Sequence, residues 1–435
     1  MDSIVPDLYR AYGKYVNNFR AFPLDVDGLK PVERRVLLSS YEIARDKFVK
    51  CARIDGHCIG HYHPHGSAYS TIVQLVKQTF LEGQGNFGSD VGVDPSPPAA
   101  MRYTECRLSK FAKDIAFKLI NYIPWVEGEL DKEPAYLPSM FPFCVLGREY
   151  TQGIGFGFKT VIPCYEIKDL YNRLLFLVGK KENKVTIRPI SDCVIISEDK
   201  DLEMLLTTGK ATLLVRGKAF ASQKEQTVVI RSWPPGRKFE YLLSKFEEEM
   251  DGNDIGYQDL STSETHIIFS VLKQRNRDQI FKKFVKKMGK ALEGNIPFEV
   301  VVVSQDAKVK TMSVDQLLLT SFTNYLQSNS KMLSSEIVRC QEAISEYQAL
   351  IKIRPYLRDH LQETTTSKDL VIEDVSNKSG VSKEVVSHLF SKYRIIKLLS
   401  VNVDVDELDQ ELQRFIKNLD DLKKFTLDQY EEIIR

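Results

Sequence analysis

The sequence has almost no net charge. Its 60 Lys and Arg stand against 59 Asp and Glu, for a formal +1. Composition alone therefore does not announce a nucleic-acid binder, and any DNA surface must come from local clustering of cations balanced by acid elsewhere. The acid-rich stretch from Asp404 onward fits such a balance. No apolar run approaches the ~20 residues of a membrane helix. The opening MDSIVPDLYRAYGKY lacks the shape of a secretory signal. Cys51, Cys58, Cys106, Cys144, Cys164, Cys193 and Cys340 form no CxxC pair. They read as reduced thiols of a cytoplasmic protein rather than as a disulfide frame or zinc knuckle. Internal repeats, low-complexity tracts and a GxxxxGK phosphate loop are also missing.

What is present is a chain of 435 residues, 43% hydrophobic, enough for roughly two to four domains with real cores. Residues 1–26 read as a helical arm ending near Pro23. Residues 27–136 read as mostly helical, with a Gly- and Pro-rich loop at 83–98. One helix starts with Pro31 in its first turn and runs through Val36, Leu37 and Tyr41. A second follows Gly66, capped by Ser67, with Ile72, Val73, Val76 and Phe80 inward. A third begins just after Tyr103, where Leu108, Phe111, Ala112, Ile115 and Leu119 follow helical spacing. Residues 137–307 form an α+β region: KVTIRPI, CVIISE, TLLVRGKAF, TVVIRSW, HIIFSVL and FEVVVVS read as strands. Residues 239–250 and 279–292 between them read as helices. From 308 the chain is helical, opening on a capping box of Ser313 and Gln316. Leu333, Ile337, Cys340, Ile344, Tyr347 and Ile351 recur at heptad steps. Leu408, Leu412, Phe415, Leu419 and Leu422 repeat the rhythm. Two such runs around a helical insert suggest an antiparallel coiled coil tipped by a small globule, against two ordinary bundle helices.

Four strings carry chemistry: RAFPLDVDGLKPVERRVL (20–37), GHYHPHGSAYSTIV (60–73), GQGNFGS (83–89) and AAMRYTECRL (99–108). In the last, Tyr103 lies between Arg102 and Thr104, with Arg107 shortly after. A free phenol titrates near ~10 and is a poor nucleophile at neutral pH. A guanidinium beside it favours the phenolate and can stabilise charge on a pentavalent phosphorus. The plain alternative is a tyrosine beside solvated arginines. His61, His63 and His65 alternate, which on a strand would put three imidazoles on one face for a metal. Pro64 and Gly66 break that strand, leaving phosphate donors near a helix N-terminus or surface histidines. GQGNFG matches GxGxxG but follows a helix and precedes a Pro-rich loop, which rules out a dinucleotide fold. Its glycines suit a tight backbone path leading to Tyr103. Lys30, Arg34 and Arg35 sit at a helix start, either as a solvated face or as phosphate clamps.

In order and spacing, the four strings resemble the A subunits of DNA gyrase and topoisomerase IV, and the medium subunit of phage-type enzymes of the same type IIA topoisomerase family. TQGIGFGFKTVIP (151–163) resembles the family's segment bearing a base-pair-wedging isoleucine, here Ile154. The resemblance implies an α+β, multidomain architecture. A winged-helix DNA-gate domain would span 27–136, an α+β tower 137–307 and an antiparallel coiled-coil exit gate 308–435; the C-terminal β-propeller of gyrase is not expected here, a departure from that relative. It implies Tyr103 as nucleophile forming a 5′-phosphotyrosyl bond, and Arg102 as its partner. Phosphate-binding or transition-state roles fall on Arg20, Arg35 and His65. DNA contacts fall on Lys30, Arg34, His63 and Ile154, with Arg107 beside the nucleophile as a further DNA-binding candidate. Partners are double-stranded DNA, a second copy of the chain and a B-type subunit carrying ATP and Mg²⁺ on ATPase and Toprim domains. No metal is expected on this chain: Asp25-Val26-Asp27 and Asp404-Val405-Asp406 do not lie at metal-binding strand ends. Three departures stand out. No acidic residue follows Gly66, Glu33 replaces a basic or imidazole side chain, and a PDFPTGG-like string is absent.

Overall fold

The computed structural model describes residues 4–148, 150–237, 239–252, 254–357, 368–392 and 405–423. It is a mixed α/β structure. The chain divides into two compact units, with the boundary between Tyr325 and Leu326.

The first unit opens with α1 (Ile4–Val16), which continues as a π-helical turn, Asn17–Ala21. Three helices follow: α2 (Pro31–Ile43), α3 (Cys51–His61) and α4 (Tyr69–Lys77). Pro31 is at the first turn of α2, as its fixed φ favours. The Glu33 carboxylate accepts the Lys30 backbone N–H at 2.9 Å. Glu33 is thus a buried cap rather than a surface charge that dilutes a basic face. α3 was not legible as a helix, yet Cys51, Ile54, Asp55 and Cys58 are buried at helical spacing. From the middle of α3, Asp55 accepts the Ala68 N–H and the Ser67 hydroxyl. Ser67 in turn accepts the Tyr69 N–H, so it caps from one position before Ala68, the N-cap residue. Phe80 lies beyond α4, buried against Phe111 and Phe143.

These helices rest on a three-stranded antiparallel sheet in the order β1 (Val49–Lys50), β3 (Glu105–Leu108), β2 (Leu81–Gln84). The helix expected directly after Tyr103 is instead β3. Cys106 and Leu108 are buried while Glu105 and Arg107 are half-exposed, a period of two. Helical winding starts only after Ser109, whose hydroxyl accepts the Ala112 N–H, and runs through Lys110–Ala112 and Lys113–Phe117.

Further along the first unit lie two larger sheets. The five-stranded sheet runs Tyr150–Ile154, Lys159–Pro163, Glu293–Glu299, Lys210–Arg216, Val194–Ile195. The four-stranded sheet runs Ala219–Ser222, Thr227–Ile230, Ile267–Val271, Ile255–Asp259. Phe281, Phe284 and Met288 of helix Arg277–Ala291 pack on the second. KVTIRPI (184–190) is not a strand. FEVVVVS splits at Val300 into Glu293–Glu299 and Val301–Val303, the latter paired with Val309–Thr311. The helix expected at 239–250 breaks into Phe239–Ser244 and Glu247–Asp251. Helices Ile167–Leu177 and Asp199–Thr208 were not anticipated.

The Ser313–Gln316 capping box forms as expected, each side chain bonding the other's backbone N–H. It opens the 44-residue helix Val314–Leu357, which continues into the second unit. There Leu333 and Cys340 are buried, but Ile351 is exposed while Leu350, Ile353 and Leu357 turn inward. They do so because they pack with Val371, Ile372, Val375, Val386, Leu389 and Phe390 of helices Lys368–Ser379 and Lys383–Lys392. Burial raises the Cys340 thiol, and the Glu411 carboxylate of helix Val405–Lys423 adds to that. Leu412 is buried there. The side chains of Leu408 and Leu422, and Asp404, lie outside the described residues.

Candidate functional site

Tyr103 ends a turn whose backbone is held on both sides. Its N–H donates to the Ala100 carbonyl, and the Cys51 N–H at the start of α3 donates to the Thr104 carbonyl. The Tyr69 hydroxyl, from α4, bonds the Ala99 carbonyl and the Thr104 hydroxyl. Thr104 is buried, yet the Tyr103 side chain is 63% exposed. Its hydroxyl has no hydrogen-bond partner among the described residues. The Arg102 guanidinium carbon sits 4.6 Å from the ring centroid, and Arg102 has no acidic partner among the described residues. The fold thus fixes the backbone and leaves a phenol and a guanidinium free to meet a ligand.

The glycine string beneath this turn acts through close approach. Gly83 in β2 faces Cys106, and a Cβ there would stand 2.5 Å from the Phe87 ring. Gly85 has φ +105°, and its Cβ would stand 3.2 Å from the Tyr103 carbonyl oxygen. The path expected from the sequence, glycines leading the chain past the tyrosine, is what forms.

A second group collects around Arg35. Its Nε and Nη2 donate to Glu133 at 2.8 and 2.9 Å. Its Nη1 donates to Glu129 and to His63 Nδ1, each at 3.2 Å. Arginine has no acceptor, so His63 Nδ1 must be unprotonated in this contact, leaving any ring N–H on Nε2. Burial, then the Arg35 charge, hold the His63 imidazole below its ordinary value, and the exposed Arg20 contributes to the same effect. His65 Nε2 lies 2.7 Å from Glu129 and 3.5 Å from the Tyr15 hydroxyl. His61 is elsewhere, bonded to Asp131 at 2.6 Å. The three histidines are therefore not on one strand face: His61 closes α3, and His63 and His65 follow in a turn. Each has a different partner.

Arg34 points away from this group. It is buried, with Nε 2.7 Å from Asp27, which also accepts the Leu29 and Leu137 N–H groups. Arg107 is engaged by Glu82 and lies over the Phe48 ring. Lys30 donates to the Gln152 carbonyl at 2.8 Å, on the strand that ends in Ile154. Ile154 is 76% exposed. The adjoining loop is tied to Asn17, whose side chain bonds both backbone groups of Phe156. Arg35, His63 and His65 are thus drawn together, with Arg20 acting on His63 through its charge alone; Lys30 and Ile154 form a second locus, and Tyr103 with Arg102 form a third. All three lie in the first unit.

Sequence reasoning missed Glu129, Asp131 and Glu133. A signal was present: Glu127, Glu129, Asp131 and Glu133 alternate as on a strand, and they sit on the hairpin of Trp125–Glu127 and Lys132–Pro134. All seven cysteines are free and buried. Among the described residues, no helix is long and apolar enough to cross a membrane.

A family model for the A subunit of DNA gyrase/topoisomerase IV matches residues 20–435. The DNA gyrase A subunit of Thermotoga maritima is 25% identical, with 96% of this chain and 54% of that protein covered. That of Haemophilus influenzae is 27% identical, covering 93% and 47%. The DNA topoisomerase 4 A subunit of Bacillus subtilis is 25% identical, covering 97% and 55%. The chain spans about half the length of these relatives. On the extent of the family match, this chain belongs to the family of DNA gyrase/topoisomerase IV A subunits.

Proposed function

We propose that the chain is the DNA breakage–reunion subunit of an ATP-dependent type IIA topoisomerase, with Tyr103 as its nucleophile. The observation that carries this is an exposed phenol beside a guanidinium that has no acidic partner among the described residues, on an otherwise braced turn. Its Oη attacks a backbone phosphorus as the P–O3′ bond breaks. The phenol proton leaves to solvent, the departing 3′ oxygen takes one up, and a 5′-phosphotyrosyl link remains. The exchange conserves the phosphodiester bond, so the reverse step needs no outside energy. Arg102 would stabilise charge on the phosphorus. Arg20, Arg35, His63 and His65 would bind neighbouring phosphates, while Lys30 and Ile154 would seat and bend the duplex.

In this reading residues 27–136 are a winged-helix DNA gate, 137–307 a tower and 308–435 a coiled-coil exit gate. Two copies of the chain would hold one duplex, break it and pass another through, giving relaxation or decatenation. ATP and Mg²⁺ are assigned to a B-type partner that completes a heterotetramer. The test is Tyr103→Phe, reconstituted with that partner. Covalent protein–DNA adducts should vanish while duplex affinity stays nearly unchanged. Adducts that persist with phenylalanine would refute the assignment.

A further inference from the structure

We infer that the acidic hairpin of Trp125–Glu127 and Lys132–Pro134 carries a built-in phosphate surrogate: Glu129 holds Arg35 and His65 until a DNA phosphate displaces it, while Glu133 stays behind as the residue that positions Arg35. The topoisomerase reading supplies only the identity of the displacing anion.

The geometry separates the two carboxylates. Glu133 grips Arg35 as a fork, through Nε and Nη2, and its side chain is 15% exposed. Such bidentate pairs fix a guanidinium plane. Glu129 lies in the turn of the hairpin, is 36% exposed, and bridges the remaining Nη1 to the neighbouring imidazole. A carboxylate bridging a guanidinium and an imidazole, at 3.2 and 2.7 Å, presents two oxygens as a phosphodiester presents its non-bridging pair.

Occupancy then forces the competition. Arg35 is only 7% exposed, and its Nη1 is already engaged by Glu129 and His63. A phosphate cannot use that nitrogen while Glu129 stays, because a single cation would then serve three anions in one partly desolvated spot. Glu129, exposed and giving Arg35 one bond where Glu133 gives a fork, is the carboxylate that can leave, since exposed ion pairs are worth little in water. Asp131 anchors the hairpin to His61 at 2.6 Å, and its N–H donates to the His61 carbonyl, so Glu129 can swing without the hairpin detaching. Glu127 points elsewhere, to Lys132, and supplies an internal control of equal charge.

The experiment compares Glu129→Gln, Glu127→Gln and Glu133→Gln in the full chain, titrating a fluorescent duplex at several salt concentrations. Glu129→Gln should bind about fivefold more tightly, the equivalent of losing one exposed ion pair. Its plot of log K against log salt should steepen by up to about one. Glu127→Gln should show neither change, and Glu133→Gln, which loosens the fork that positions Arg35, should bind no more tightly than wild type. Unchanged or weaker binding by Glu129→Gln overturns the inference. So does an equal gain in Glu127→Gln, which would mean simple net charge, or in Glu133→Gln, which would mean that the two carboxylates are not distinct. Adducts from wild-type chain that fail to map to Tyr103 would sink the topoisomerase reading without touching this comparison.

Discussion

Arg34 and Arg35 are adjacent in sequence and have opposite fates in the structure. Neighbours on a helix point about 100° apart, so only one of the pair can face the His63–His65 turn. Arg35 does; Arg34 turns inward to Asp27. The same geometry makes His63 a titration probe. Its imidazole is depressed from 6.5, first by burial, then by Arg35 and His65, with Arg20 adding and Glu129 opposing. Because the folded form resists protonation, the unfolded chain binds more protons below pH 6.5. Stability from this group is therefore full above that value and is lost as the pH falls through the folded pKa. Glu129, held below its usual 4.5 because His65 and Arg35 outweigh burial, acts in the same direction at lower pH. His63→Asn should thus narrow the drop in Tm between about pH 7.5 and about pH 5.5. An unaltered drop would show that His63 is not the group being protonated. The sequence strings delivered Arg35, His63 and His65 as candidates, but not their acidic partners. Glu129 and Glu133 lie far along the chain, and nothing local ties them to Arg35.

Among the elements, residues 105–108 carry a helical pattern and yet form a strand. Leu108, Phe111, Ala112, Ile115 and Leu119 do follow helical spacing, but Cys106 and Leu108 also alternate with charged residues. β2 settles the matter by offering a ladder, Leu81 to Leu108 and Gln84 to Glu105. Tertiary pairing decided what periodicity left ambiguous. α3 escaped notice because Gly56 and Gly60 weaken its local propensity, and only packing of Ile54, Asp55 and Cys58 sustains it. The strand β3 gives Gly85 its role, since the left-handed backbone there lets the chain pass under Tyr103. Gly85→Ala should cost about 1–2 kcal/mol and displace the turn. Adduct formation should fall well beyond any loss of duplex affinity. Gly179 also has positive φ, +68°, with open space around its Cβ position. Gly179→Ala should lower Tm similarly and leave adduct formation alone. Equal effects of the two on adducts would mean that Gly85 matters only for stability.

For the molecule as a whole, the succession of an N-terminal helix, a helix-rich stretch, an α+β middle and long C-terminal helices was readable from pattern. The buried ion network that braces the first unit was not. Arg173 of helix Ile167–Leu177 is 1% exposed. Its guanidinium bonds Asp315, at the start of helix Val314–Leu357, at 2.6 and 2.8 Å. Glu203 of helix Asp199–Thr208 lies at 2.9 Å and the Val185 carbonyl at 2.8 Å. Three sequence-distant helices thus meet on one cation, in a region where neither helix Ile167–Leu177 nor helix Asp199–Thr208 was foreseen. Such a group adds little net stability over a well-packed apolar core, but removing one partner strands a buried charge. Asp315→Ala should therefore destabilise the chain by about 3 kcal/mol, a large share of the roughly 5–15 kcal/mol typical of a folded domain. Asp315→Asn, which keeps an acceptor for Arg173, should cost clearly less. Urea unfolding of both variants decides it. If alanine and asparagine cost the same, the carboxylate charge rather than the stranded donor is what matters. If neither costs anything, Glu203 and the Val185 carbonyl alone satisfy Arg173, and the network is not what fixes these three helices.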